Sequence, residues 1–248
     1  MNVTGHTPRG GVVWSGAVHA RVRPWSGNDD KAFLIIGAPH DPLVDPAGRI
    51  PVDRWLETIR GWGFTSVRTN AVSTTVATAL ASAGFTVAQD LVLLRRDHDA
   101  TPAFGIPRDA RPKVLRRTRD HAADLIDLDG IAFGNEWALD APMLTDALAA
   151  TTTSRIFVAR RDDVLQGFVI VGLTARTGYI QRLAVHPSVR RSGVGARLLA
   201  RALQWADKRG ATHSVVNTEV DNAAALALYS KFGFEALPDR LNVMERAL

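Results

Sequence analysis

Leu183-Ala184-Val185-His186-Pro187-Ser188-Val189-Arg190-Arg191-Ser192-Gly193-Val194-Gly195-Ala196 is the stretch whose reading decides the fold. Before it, residues 179–185 read as a strand halted by Pro187. After it, Arg197, Arg201, Gln204 and Lys208 recur at the i, i+4, i+7, i+11 spacing of one polar face, which predicts a helix over 193–208. A strand therefore runs through a short turn into a helix N-terminus. Unpaired N–H groups and the positive end of the macrodipole make such a terminus a site for a phosphate anion. Gly193 and Gly195 remove side chains that would hold the anion away, and Arg190 and Arg191 add formal charge at the mouth. Gly-x-Gly alone is better read as an ordinary glycine-relieved turn with solvated arginines. It is not a dinucleotide fingerprint, since Leu198 stands where the third glycine belongs, and no Gly-Lys-Ser/Thr follows as in a Walker loop.

Outward from this stretch the pattern places a strand at 114–117, helices at 120–133 and 142–149, and strands at 155–159 and 164–172 around the turn Arg161-Asp162-Asp163. Beyond the long helix come a strand at 214–220, a helix at 223–232 and a last strand at 241–245. Strands alternating with helices around a mixed sheet give an α/β (α+β) class. Trp55 through Gly84-Phe85 aligns with Trp205 through Gly233-Phe234 with a one-residue difference in spacing, an internal repeat that implies duplication. Residues 96–112 are rich in Asp, Pro, Arg and Gly without an apolar period, and read as a linker between a first domain at 1–95 and a second at 113–248.

The 248 residues are 46% hydrophobic and 22% charged, enough apolar surface for a real core, so disorder of the whole chain is excluded. With no cysteine the chain has neither disulfides nor a thiol nucleophile, which fits a reducing compartment. Lacking a long apolar run and a basic leader, it is expected to be cytoplasmic with no membrane partner. A net charge of +5 raises nucleic acid, but the arginines are interleaved with Asp and Glu, which argues against that partner. No cluster with metal-ligand spacing stands out, and His186 and His213 read as surface or turn residues.

Leu183-Ala184-Val185 followed by Arg190, Gly193 and Gly195 in an R-x-x-G-x-G arrangement resembles the acyl-CoA loop of the GNAT superfamily of N-acetyltransferases. The run Asn222, Ala225, Leu228, Tyr229, Gly233 and Phe234 resembles that superfamily's second motif, in the style of the ribosomal-protein alanine N-acetyltransferases. The resemblance covers roughly residues 114–248. It implies a mixed, mostly antiparallel sheet flanked by helices, acetyl-CoA as co-substrate, and direct transfer to a primary amine on a protein N-terminus, a lysine or a small molecule. A non-catalytic acyl-CoA sensor is the alternative. It implies further that Leu183, Ala184 and Val185 offer backbone groups to the pantetheine arm, and that Arg190, Arg191, Ser192, Gly193, Val194, Gly195 and Ala196 surround the pyrophosphate. Asn222 would touch the CoA arm, although its position equally suits an N-cap. Besides the amine acceptor, a second copy of the chain is an expected partner, as a homodimer. The first half, with Leu80 opposite Tyr229, Ser73 opposite Asn222 and no R-x-x-G-x-G, looks like a degenerate, partial GNAT unit.

Ala225, Leu228, Tyr229 and Phe232 fall on one helical stripe, so periodicity makes Tyr229 a core residue, while the resemblance makes it the acid that protonates the departing CoA thiolate. The expected base, a glutamate on the preceding strand, falls at Asn217 here. Glu219, two residues on and on the same strand face, is the first substitute, although its position is better read as that of an exposed carboxylate at a strand end. Gln181 could hold a water, and Glu136 and Asp140 could attract a cationic acceptor.

Overall fold

Runs of valine, isoleucine and leucine bounded by glycine turns form the strands, and the alanine- and leucine-rich stretches between them form the helices. The computed structural model describes residues 10–15, 18–37, 50–98, 111–115, 118–134 and 136–248. In chain order the first elements are β1 (Gly11–Ser15), β2 (Val18–Trp25), β3 (Asn28–Ile35), α1 (Val52–Gly61), β4 (Ser66–Thr69), β5 (Val72–Ser73), α2 (Thr74–Ser82) and β6 (Thr86–Asp97). There follow β7 (Lys113–Val114), a 3-10 turn at Thr118–His121, α3 (Ala122–Phe133), α4 (Ala141–Ala149), β8 (Thr153–Arg161), β9 (Val164–Thr174) and β10 (Thr177–Val185). The chain ends with α5 (Val194–Asp207), β11 (His213–Glu219), α6 (Ala223–Lys231) and β12 (Glu235–Ala247).

β7, β8, β9 and β10 pair antiparallel in sequence order, and β11 lies parallel to β10 with β6 beyond it. β1, β2 and β3 form an antiparallel meander, β4 runs parallel to β3, and β12 pairs antiparallel with β4. The sheet is thus mixed and mostly antiparallel, as expected. On one face of the second half Leu125, Leu128 and Leu144 pack on Ile156, Val158, Phe168, Ile170 and Ala184. α5 covers the other face: a Cβ on Gly167 would sit 3.0 Å from Leu198 and 3.2 Å from Val194. The polar stripe on α5 is less exposed than its spacing suggests, since Arg201 lays its guanidinium over the ring of buried Phe157 at 4.8 Å.

The duplication is visible element by element. α1-β4-α2-β6 repeats as α5-β11-α6-β12, Trp55 and Trp205 are both buried, and Gly84 and Gly233 both take positive φ, at 81° and 76°. The compact units nevertheless differ from the expected domains: one is Met1–Val92 with Pro238–Leu248, the other Leu93–Leu237. The cause is strand pairing. The end of β12 pairs with β4 and β5, as in Glu245↔Arg68 and Leu241↔Ser73, and Met244 enters the core of the first unit beside Leu34, Trp55 and Val67. The end of β6, expected to be linker, is instead anchored in the second unit. There Arg96, 4% exposed, donates from Nε to the Phe232 carbonyl at 2.8 Å, and the His98 N–H donates to the Thr212 carbonyl at 2.9 Å. Residues 99–110 of the expected linker lie outside the described residues. Among the described residues no helix is long and apolar enough to cross a membrane.

Candidate active site

β10 and β11 pair only over Thr177↔His213, Gly178↔Ser214 and Tyr179↔Val215, although β10 continues to Val185 and β11 to Glu219. The cause lies on the opposite side of β10, where the register with β9 passes from Ile180↔Val171 to Arg182↔Ile170 and leaves Gln181 as an extra residue. A bulge of this kind bends its strand and increases the local twist. Past Tyr179 the two parallel strands therefore diverge, and Leu183-Ala184-Val185 keeps its ladder to β9 but has none to β11. The Ala184 side chain is sealed in the core, so backbone is what it offers to the gap. The carbonyl oxygen of Gln181, Oε1, is buried at the bulge with no hydrogen-bond partner among the described residues. A buried acceptor left unpaired is costly and marks a place where water or a ligand group fits.

At the end of the gap stands the N-terminus of α5. His186 shapes the approach, its Nδ1 accepting from the Ser188 N–H at 3.2 Å, as a turn residue should. Ser192 donates its hydroxyl to the Val189 carbonyl at 2.7 Å. Arg191 and Gly193 then take left-handed conformations, φ 63° and 83°. Among the described residues no side chain caps α5, so its first N–H groups are left facing outward with the positive end of the helix dipole behind them. Gly193 is required by its φ. Gly195 is not: a Cβ there would meet Val185 at 3.5 Å and Leu228 at 3.6 Å, ordinary contacts, so the missing side chain keeps space open between β10, α5 and α6. Val194 is buried and Ala196 half-buried. Arg191 is exposed. Arg190 has a job the sequence did not show: its NH2 donates to the Ala132 carbonyl at 2.9 Å, satisfying the last turn of α3.

α6 forms the other wall. Asn222 caps it, Oδ1 accepting from the Ala225 N–H at 3.1 Å, so the N-cap role is real and the amide nitrogen is left over. Tyr229 is 5% exposed and tilts against Phe234 at 5.6 Å between centroids. Burial pushes its phenol up to about 12. Yet the hydroxyl has no hydrogen bond to any described residue and is not among the atoms sealed from solvent. Buried tyrosines ordinarily find a polar partner. Glu219 ends β11 half-buried, its carbonyl accepting from the Asn222 N–H at 3.1 Å, while Asn217 is exposed on the same alternating side. Asp140 is committed elsewhere, capping α4 by accepting from the Met143 N–H at 2.6 Å. His213 is bonded within the sheet, 3.1 Å from the Thr177 hydroxyl.

Arg182 and Asp129 escaped the sequence reading. Asp129, fully buried on α3, accepts from Arg182 Nε at 2.8 Å and NH2 at 2.6 Å, and from the Leu139 N–H at 2.8 Å. The signal was an arginine inside a strand beside Ile180, Leu183, Ala184 and Val185, since a charge in such a place needs a partner.

Residues 122–234 match the acetyltransferase (GNAT) family. That segment belongs to the GNAT family. Its relatives include a mycothiol acetyltransferase of Brachybacterium faecium, 31% identical over 63% of this chain and 51% of the relative. N-alpha-acetyltransferase 30 of Schizosaccharomyces pombe is 39% identical over 32% of this chain and 55% of that protein. The chain thus spans about half the length of these two relatives. Among solved structures, a tandem GNAT protein from the clavulanic acid biosynthesis pathway superposes with a TM-score of 0.66 at 16% identity, over 97% of this chain and 84% of the other. At that identity the likeness concerns the fold, and it extends over both halves. GNAT proteins use acetyl-CoA, and the gap between β10 and β11, ending on the uncapped α5, suits an extended thiol arm attached to a pyrophosphate.

Proposed function

We propose that this chain transfers an acetyl group from acetyl-CoA to a primary amine, directly, in a ternary complex. The observation that carries the reading is the Tyr229 hydroxyl: a phenol on a buried ring, protonated at all physiological pH, with no hydrogen-bond partner among the described residues. The pantetheine arm lies along Leu183-Ala184-Val185 and completes the ladder that β11 abandons. The pyrophosphate takes the free N–H groups of 193–196, with Arg191 beside it and Gly195 leaving room. Asn222 turns its amide nitrogen to the arm while its oxygen caps α6. Binding holds the thioester carbon against the amine, attack forms the C–N bond and breaks the C–S bond, and Tyr229 gives its proton to the leaving sulfur.

The amine must arrive unprotonated, and at neutral pH an alkyl amine of pKa near 10 loses about 4 kcal/mol to protonation unless the protein assists. Glu219 is the carboxylate on the strand that ends at the gap and serves as base. The orphan Gln181 Oε1 holds a water or an amine N–H. One relative is named an N-alpha-acetyltransferase and the other a mycothiol acetyltransferase, so peptide α-amino groups and small molecules both belong in the test. The second reading, an acyl-CoA sensor without turnover, draws on Asn217 standing where the family glutamate is expected. A screen of CoA release against N-terminal peptides and small amines separates them: turnover with any acceptor establishes the transferase, while heat stabilisation by acetyl-CoA with no turnover across the panel establishes the sensor.

A further inference from the structure

Four contacts converge on one guanidinium at the bulge. Arg182 forms a two-pronged bond to Asp129, donates from NH2 to the Trp137 carbonyl at 2.7 Å, and stacks over the Phe133 ring at 3.7 Å. Asp129 in turn holds the Leu139 N–H. Phe133, Trp137 and Leu139 are three points along the segment from the end of α3 to the start of α4, and one ion pair fixes all three. Its anchor is rigid: Ala184, two residues beyond Arg182, is packed in the core with Leu125 and Leu128, which precede Asp129 on the same helix. Phe133 is nevertheless 38% exposed. Its ring is stacked on a half-buried guanidinium whose carboxylate partner is fully buried. It stands next to Arg182, adjoining the strand residues Leu183-Ala184-Val185 that line the gap.

We infer that Arg182 is a positioning residue for the acceptor: together with Asp129 it holds Phe133, Trp137 and Leu139 in place, so that the rings of Phe133 and Trp137 form an apolar wall against which the group bearing the amine rests. The inference rests on the transferase reading, but its structural half can be tested alone. The bidentate fork matters here, because lysine supplies the charge without the paired geometry.

The experiment uses the full chain and three variants, Arg182→Lys, Arg182→Gln and the double Asp129→Asn with Arg182→Gln. The double variant leaves no unpaired buried charge, so it keeps the fold testable where a single change unfolds it. Amide hydrogen exchange of residues 136–139 and acetyl-CoA thermal shifts are measured on each. Steady-state rates use the peptide or amine that the unaltered chain turns over best. Expected are exchange at least ten-fold faster over 136–139, an acetyl-CoA affinity within three-fold, and an acceptor KM raised ten-fold or more with kcat changed less than three-fold. Arg182→Lys should restore fold stability better than KM. Unchanged exchange over 136–139 in a folded double variant overturns the inference, as does a loss of acetyl-CoA affinity that parallels the rise in KM. Should the unaltered chain turn over no amine, the transferase reading falls, and the exchange measurement alone then decides whether Arg182 holds the segment.

Discussion

At the scale of single residues the sharpest expectation concerns Tyr229. Tyr229→Phe keeps the ring against Phe234 and removes a hydroxyl that bonds to no described residue, so the fold and acetyl-CoA binding should be unchanged. Turnover should fall by about 100- to 10,000-fold, the range for one positioned acid; full activity on a verified acceptor would show the phenol to be core alone. The raised pKa makes a second, independent mark. Because the folded state disfavours phenolate, the group's stabilising effect is complete below the unfolded pKa near 10 and is lost as pH rises towards about 12. The unaltered chain should therefore lose stability between these values more steeply than Tyr229→Phe in alkaline denaturation. Glu219→Gln is a kinetic test of the base: the rate should drop most near neutral pH and recover as pH rises and the amine deprotonates unaided. Equal silence at every pH would assign deprotonation to a water at Gln181 or to the pocket. Sequence periodicity placed Tyr229 on the buried stripe correctly, but could not show that its ring and its oxygen have different surroundings. Asp129 and Arg182 were illegible for a related reason, being 53 residues apart with no spacing rule joining them.

At the scale of elements the site is a strand that leaves its neighbour and a helix that begins uncapped. Strand and helix types were legible because their periods differ, and the glycine-relieved turn marked where one became the other. The divergence of β10 from β11 was not, since a bulge depends on register with β9, which no local pattern in 177–185 records. Gly193→Asp tests the helix end. The carboxylate would cap the very N–H groups assigned to the pyrophosphate and repel it, while Gly193→Ala reports the cost of φ 83° alone. At acetyl-CoA about 100-fold above Kd the unaltered chain should gain about 2.7 kcal/mol. Gly193→Ala should retain most of that gain and Gly193→Asp none. A chain whose melting temperature ignores saturating acetyl-CoA would sink the cofactor assignment.

For the whole molecule, the repeat was legible from Trp55 and Trp205 and from the paired Gly-Phe steps, but the assignment of its last strands was not. Sequence order puts β6 with the first half and β12 with the second, whereas compactness puts Leu93 onward with the second unit and Pro238–Leu248 with the first. Both strands carry side chains suited to where they end: buried Arg96 reaches the Phe232 carbonyl, and Met244 enters the core around Trp55. A cut in the expected linker, with a shortened chain beginning at Arg108, therefore removes from the second unit the anchors at Arg96 and His98. It also leaves residues 238–248 without β4 and β5. The first loss strips β11 of its outer neighbour and exposes an edge with unpaired backbone, a template for aggregation. The second leaves Val243 and Met244, buried in the full chain, in water. The shortened chain should lack a cooperative melt, aggregate at concentrations where the full chain stays dispersed, and show no stabilisation by acetyl-CoA, although every residue assigned to the cofactor is still present. A soluble 108–248 fragment with a single sharp transition and a full acetyl-CoA shift would mean that the exchanged strands are dispensable, and that the second half folds as its sequence boundaries suggest.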